Sequence, residues 1–270
     1  MFLTIEDQKI YYQLQQIQEK APKLLFIPGT ASDLRQEPQI FNSSIAKQFE
    51  ILSYDQRGIG QSNSPKPDPT MRTYARDVKH VLDHVGWKRC YVVGESFGGM
   101  VAQEFAIHYP EYVEKLVLVV TSSGGAGGSS FPYHNHDISK MSLAERADFW
   151  VQCGDLRYID AEYKKSASYQ QQFDFYKQIF EWSASNPERV QNSQRQIFAR
   201  KGHDTFDRLP QLKMPVYLCG GKFDKTAPLE NQLALLRQIP QSRLTLFEGS
   251  HMLLWQDPFA FESITLFCHL

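Results

Sequence analysis

One stretch limits what this chain can fold into: Val92-Val93-Gly94-Glu95-Ser96-Phe97-Gly98-Gly99, a G-x-S-x-G set between an apolar run and a helical pattern. Upstream, Cys90-Tyr91-Val92-Val93 reads as a buried strand, and downstream Phe97, Met100, Val101, Phe105 and His108 recur at helical spacing. A strand that passes straight into a helix through a serine must hold that serine on a sharp bend. Side chains two residues before and after it would collide there, and Gly94 and Gly98 remove both. The start of the helix then aims backbone N–H groups at the space above the hydroxyl, where a negatively charged oxygen would be stabilised. Ser96 is therefore the candidate nucleophile, and the N–H of Phe97, which follows it, a candidate oxyanion donor.

The remaining elements predict a parallel sheet around this turn. Lys23 to Ile27 is a short apolar run stopped by Pro28-Gly29, and Ile51 to Tyr54 ends at Asp55-Gln56-Arg57-Gly58. Tyr74, Val78, Val81, Leu82 and Val85 define a helix over Thr73 to Val85 that Gly86 stops. Prolines 65, 67 and 69 make Ser62 to Pro69 a surface loop. Further strands are expected at Lys115 to Val120, Val216 to Cys219 and Arg243 to Phe247, with helices over Leu229 to Ile239 and from about Asp257. Buried strands alternating with amphipathic helices imply an α/β fold whose sheet is covered on both faces. Between Ser122 and Leu209 the apolar runs are helical, as in Phe173, Tyr176, Ile179 and Phe180. The expected organisation is a core of residues 1–121 and 210–270, interrupted by a helical cap of residues 122–209. Phe131 to Arg200 carries 13 of the 35 aromatic residues, so the cap should present an apolar underside to a cleft.

A serine nucleophile needs a base, and the base an orienting carboxylate. His251, in Gly249-Ser250-His251, lies just past one predicted strand, and Asp224, in Lys222-Phe223-Asp224, just past another. In a parallel sheet these loops open on the same edge as Ser96, which predicts that Ser96, Asp224 and His251 converge. Thr30, in the loop after Ile27-Pro28-Gly29, is the second candidate oxyanion donor.

Over nearly its whole length the chain resembles the α/β-hydrolase superfamily. The resemblance rests on Pro28-Gly29-Thr30, Asp55-Gln56-Arg57-Gly58-Ile59-Gly60-Gln61-Ser62, the turn around Ser96, Gly220-Gly221-Lys222-Phe223-Asp224 with Ala227-Pro228, and Gly249-Ser250-His251. Members commonly have His-Gly where this chain has Pro28-Gly29. Asp55-Gln56-Arg57-Gly58 resembles proline iminopeptidases, but those enzymes carry Gly-Gly-Ser-Trp-Gly where this chain has Gly-Glu-Ser-Phe-Gly. The resemblance implies a serine hydrolase of the esterase and enol-lactonase-like branch, acting on a small, largely apolar ester, thioester or lactone without a metal or organic cofactor. An iminopeptidase-like activity, perhydrolysis and carbon–carbon bond hydrolysis use the same triad. A non-catalytic ligand receptor is the alternative of another class.

Other features narrow the partners. A formal net charge of −1 lacks the basic field that dominates nucleic-acid affinity. No apolar run reaches membrane length. Cys90, Cys153, Cys219 and Cys268 stand singly, and the N-terminal Met1 to Asp7 has two acids where a secretory signal needs basic and apolar residues, so a cytoplasmic protein with reduced thiols is expected, as monomer or homodimer. Thr121 to Gly128 lacks phosphate-loop spacing and reads as a flexible hinge into the cap. His134-Asn135-His136-Asp137 reads as a polar cap loop, Lys164-Lys165 and Arg35 to Glu37 as solvated faces, and His203-Asp204 as lying outside the cleft.

Overall fold

The computed structural model describes residues 1–17, 21–132, 135–138 and 140–270. Eight strands form one sheet in the order β1-β2-β4-β3-β5-β6-β7-β8. They are β1 (Phe2–Ile5), β2 (Gln8–Gln15), β3 (Lys23–Ile27), β4 (Glu50–Tyr54), β5 (Cys90–Glu95), β6 (Val113–Val119), β7 (Val216–Gly221) and β8 (Ser242–Phe247). From β4 to β8 all neighbours are parallel, whereas β1 pairs with β2, and β2 with β4, antiparallel. The predicted strands are all present. The β1–β2 hairpin adds an antiparallel edge that periodicity did not reveal, because Gln8-Lys9-Ile10-Tyr11-Tyr12-Gln13 mixes polar and apolar residues on both faces.

Helices α1 (Met71–His84), α2 (Phe97–His108), α6 (Leu229–Gln238) and α8 (Phe259–His269) flank the sheet, with a single turn, α7 (Leu253–Gln256), before α8. Strand residues Leu25, Ile27, Val92, Leu116 and Leu118 pack on α1 and α2 residues such as Val78, Val81, Val101 and Phe105. On the opposite face, Leu24, Phe26, Val93, Val117 and Val119 pack against Ile45, Phe49, Phe261 and Ile264. Alternate residues of each central strand thus feed opposite layers, as a sheet buried on both sides requires.

Between β6 and β7 the chain forms α3 (Leu143–Gly154), α4 (Ala167–Ala184) and α5 (Pro187–Lys201), and no described residue there belongs to a strand. Helix α4 has no buried residue along 18 positions, so its aromatic side chains are walls rather than core. Thr121 to Gly128 is not a loose hinge. Ser122 and Ser123 are fully buried, the Ser123 carbonyl accepts from Thr205 N at 2.8 Å, and Gly124 bridges Asp204.

Strand order reverses between β3 and β5: the chain leaves β3 toward β4 on one side and β5 toward β6 on the other. Loops following those two strands diverge and leave a crevice at the carboxyl edge of the sheet. The loop after β3 carries Thr30, and the turn after β5 carries Ser96.

Candidate active site

Ser96 joins β5 to α2 with φ 53° and ψ −115°, a conformation that is strained for a residue with a side chain. It persists because the surroundings over-determine it. Ser96 N donates to Val119 O at 2.8 Å, and Thr121 Oγ1 donates to Ser96 O at 2.7 Å. A Cβ on Gly94 would lie 2.5 Å from Gly98 O, and one on Gly98 only 2.0 Å from Ile27 O, so both glycines are needed for close backbone approach.

Around this serine the three predicted groups meet. His251 Nε2 lies 2.9 Å from Ser96 Oγ, and His251 Nδ1 lies 2.9 Å from Asp224 Oδ2. An ionised Asp224 can only accept, so Nδ1 carries the proton and Nε2 presents its lone pair to the Ser96 hydroxyl. Ala227 N donates to the other Asp224 oxygen at 2.8 Å, which fixes the carboxylate plane. Burial disfavours a charged imidazole, but the Asp224 charge and hydrogen bond outweigh it, with help from Glu95, and hold His251 above its ordinary pKa. Glu95, the residue before the nucleophile, opens on the same cavity, and its carboxyl is pushed up to about 7 by burial, against the His251 charge and a hydrogen bond from Trp255.

The Pro28-Gly29-Thr30 loop lies against the serine: a Cβ on Gly29 would sit 3.6 Å from Ser96 Cβ. Phe97 N heads α2, where the first N–H groups have no carbonyl partner within the helix. Gly29 to Ser32 forms a tight turn, closed by Ser32 N donating to Gly29 O at 3.4 Å, with Ala31 at φ 58°. Below it, the Asp55-Gln56-Arg57 stretch acts as a scaffold. Asp55 Oδ1 accepts from Leu34 N at 2.8 Å, and Gln56 Nε2 donates to Pro28 O at 2.7 Å. Arg57, through Nη2, donates to Asp77 Oδ1 at 2.6 Å in a buried pair.

Above the serine is a cavity of about 1050 Å³. Phe175, Tyr176, Ile179 and Phe180 of α4 and Val190 and Phe198 of α5 line it, in keeping with the expected aromatic underside. His136, Asp137 and Glu37 also line it, so neither the polar loop nor the Arg35 to Glu37 stretch is merely solvated. Tyr133 and His134 lie outside the described residues. Arg35 pairs with Asp33 and sits 5.6 Å from the Trp182 ring. Lys164 pairs with Asp148. His203 borders a smaller adjoining cavity of about 270 Å³, and burial lowers its pKa to about 4. All four cysteines are free and buried. Among the described residues no group of three or more His, Cys, Asp or Glu is arranged for a metal ion, and no helix is long and apolar enough to cross a membrane.

Sequence reading missed the α5 residues that reach this site. Arg189, Asn192 and Gln196, spaced i, i+3 and i+7, face the core. Arg189 donates to Ala31 O at 3.0 Å and Asp33 Oδ2 at 3.1 Å, and its guanidinium lies 3.9 Å from the Trp182 ring. Gln196 Oε1 accepts from Ala31 N at 2.8 Å. The only signal in the sequence was three long polar side chains on one stripe of a helix.

Residues 22–258 match the family model described as alpha/beta hydrolase fold. A poly(3-hydroxyalkanoate) depolymerase of Ectopseudomonas oleovorans is 23% identical over 219 residues, covering 79% of this chain and 72% of that protein. A 2-hydroxy-6-oxononadienedioate/2-hydroxy-6-oxononatrienedioate hydrolase of a Pseudomonas species is 27% identical over 221 residues, covering 81% and 76%. Among solved structures, the enol-lactonase of Burkholderia xenovorans superposes with a TM-score of 0.81 over 100% of both chains, at 19% identity. With the sheet order, the turn at Ser96 and the match over most of its length, the chain is a hydrolase and belongs to the α/β-hydrolase family.

Proposed function

We propose that the chain is a serine hydrolase that cleaves an ester, thioester or lactone through an acyl-enzyme on Ser96, beneath a helical cap of residues 122–209. The observation that carries this reading is the unbroken chain of hydrogen bonds from Asp224 through His251 to Ser96 on the floor of the cavity, each 2.9 Å long. His251 takes the hydroxyl proton as Ser96 attacks the carbonyl, and Asp224 holds the tautomer and stabilises the imidazolium. The N–H groups of Phe97 and Thr30 receive the developing oxyanion. The imidazolium then protonates the leaving oxygen or sulfur. In the second half, His251 activates a water that attacks the acyl carbonyl, and Ser96 leaves with the returned proton. In a lactone the leaving oxygen stays tethered to the acyl chain and departs with it.

An enol-lactonase and a poly(3-hydroxyalkanoate) depolymerase among the similar proteins favour an ester or lactone bond. The aromatic and aliphatic walls favour an apolar acyl part, and about 1050 Å³ leaves room for more than an acetyl group. The test is turnover of p-nitrophenyl esters of rising chain length, lactones and aminoacyl arylamides by the wild type and Ser96→Ala. Loss of the triad serine should lower kcat by about 10⁴- to 10⁶-fold and abolish labelling by a fluorophosphonate. Ester turnover that survives Ser96→Ala refutes the acyl-enzyme, a clear preference for arylamides redirects the reading to a peptidase, and no labelling of the wild type at any pH favours a receptor.

A further inference from the structure

The loop that carries Thr30 is held from two sides, and one of them is the cap. Core groups grip its ends, through Gln56 on Pro28 O and Asp55 on Leu34 N. Its middle has a weak point. Ala31 is the third residue of the Gly29–Ser32 turn and has φ 58°, a position that glycine or asparagine ordinarily fills. For alanine, the alternative turn with the Thr30–Ala31 peptide rotated is sterically easier. What opposes that rotation comes from α5. Gln196 Oε1 accepts from Ala31 N at 2.8 Å and fixes the peptide before Ala31, while Arg189 donates to Ala31 O at 3.0 Å and fixes the peptide after it.

Both α5 groups are themselves constrained. Gln196 is fully buried, and the Ala31 N–H dictates that its amide oxygen faces the loop. Arg189 lies 3.9 Å from the Trp182 ring and binds Asp33 Oδ2 at 3.1 Å and Gln36 Oε1 at 3.3 Å. The helix is seated on the core by Asn192 Nδ2, which donates to Ser64 Oγ at 2.8 Å, and by packing of Asn192 over Gly58, where a Cβ would lie 2.7 Å from the amide carbon.

We propose that Gln196 and Arg189 are positioning residues for the reaction: from the cap they hold the peptides on both sides of Ala31 in the strained turn, and so keep Thr30, whose own N–H lies in the preceding Gly29–Thr30 peptide, seated beside Ser96. The seated cap and the competent oxyanion hole are then one state, and a cap that lifts off α5's contacts disarms the site as it opens it. This rests on the proposed acyl transfer at Ser96 with Thr30 as a donor.

The experiment compares steady-state ester hydrolysis by the wild type, Gln196→Ala, Gln196→Glu, Arg189→Lys and Ser96→Ala, alongside inhibition by an aryl trifluoromethyl ketone, whose tetrahedral adduct carries the oxyanion. Gln196→Ala should lower kcat by about 10- to 100-fold, as expected for a donor misplaced by about 1 Å, with KM within about threefold. Ketone affinity should fall in proportion to kcat/KM. Gln196→Glu, which keeps an acceptor for Ala31 N–H, should recover most of the loss, and Arg189→Lys, which keeps the charge but not the paired donors, should lie between. Gln196→Ala with kcat within threefold of wild type overturns the proposal, as does a loss confined to KM or one that Gln196→Glu fails to relieve. If Gln196→Ala does not fold, Arg189→Lys carries the same kcat and ketone criteria. Turnover that persists in Ser96→Ala would instead sink the underlying acyl-enzyme reading.

Discussion

Gly98 sits where the turn at Ser96 meets the backbone of β3, and Gly98→Ala puts a number on the steric demand there. The added methyl would lie 2.0 Å from Ile27 O and 2.6 Å from Pro28 O, both backbone atoms at the mouth of β3. Ordinary contact begins at 3.4 Å, so α2 and the end of β3 would have to separate by about 1.4 Å. Overpacking against atoms that cannot rotate away costs about 3 kcal/mol, and alanine returns about 1 kcal/mol as the better helix former, leaving a net loss near 2 kcal/mol. The same displacement moves the Thr30 loop away from the Ser96 hydroxyl, and a misplacement of about 1 Å typically lowers turnover by about 10²-fold. Gly29→Ala is the control in the same loop, because its Cβ would meet nothing closer than 3.6 Å and should cost under about 1 kcal/mol. Urea unfolding gives the stability difference, and p-nitrophenyl ester turnover, normalised to fluorophosphonate-titrated sites, gives kcat. A Gly98→Ala protein with the wild-type urea midpoint and kcat within threefold would show that the turn at Ser96 does not need this approach.

Two further outcomes follow from charges near the site. In the proposed mechanism His251 must be neutral to act as base, and Glu95 favours its charged form, so Glu95→Gln should lower the histidine's pKa and move the acid limb of kcat/KM to lower pH, chiefly above pH about 7 where Glu95 is ionised. An acid limb that stays put, measured across pH 5 to about 9, would remove Glu95 from that role. Asp77→Ala leaves the buried Arg57 without its carboxylate and should destabilise the fold by about 3–5 kcal/mol in urea; a loss below about 1 kcal/mol would mean that Arg57 finds another partner or water.

The meeting of Ser96, Asp224 and His251 was legible because each lies just past the carboxyl end of a strand of the parallel sheet and carries local punctuation: glycines around Ser96, Gly220-Gly221 before Asp224, Gly249 before His251. Once the sheet is parallel, convergence follows from topology, with no knowledge of side-chain packing. The place of the Thr30 loop beside Ser96 was legible for the same reason, since β3 neighbours β5. Elements read less well where burial is one-sided or absent. The hairpin β1–β2 lies at the sheet edge and its residues show no clear period, whereas α4, whose aromatic residues face a cavity, was still legible as a helix from Tyr176, Ile179 and Phe180. The Asp55-Gln56-Arg57 motif was visible as a resemblance, but its work, gripping Pro28 O through Gln56 and Leu34 N through Asp55, appears only in three dimensions.

Least legible are the contacts from the inserted helices to the loops around Ser96, and the reason is sequence distance. Gln196 and Ala31 are 165 residues apart, and neither position stands out by periodicity or punctuation. A similar contact joins the end of α3 to the acid loop: Asp155 bridges Asp224, Leu156 N donates to Phe223 O at 2.9 Å, and the Arg157 guanidinium lies 4.4 Å from the Phe223 ring. His251 N donates to Gly154 O at 3.1 Å. The inserted segment therefore touches the loops that carry Thr30, Asp224 and His251, the first through the Gln196 and Arg189 side chains and the other two through backbone groups, and its apolar walls are only part of its contribution. On the proposed reading, exchanging the inserted segment as a unit would take away acceptors and donors that hold the loops of Thr30, Asp224 and His251, even with Ser96, Asp224 and His251 untouched. On the proposed acyl transfer, substrate selection and catalytic geometry share the same helices, so a change that widens the cavity from α5 should act on kcat as well as on binding.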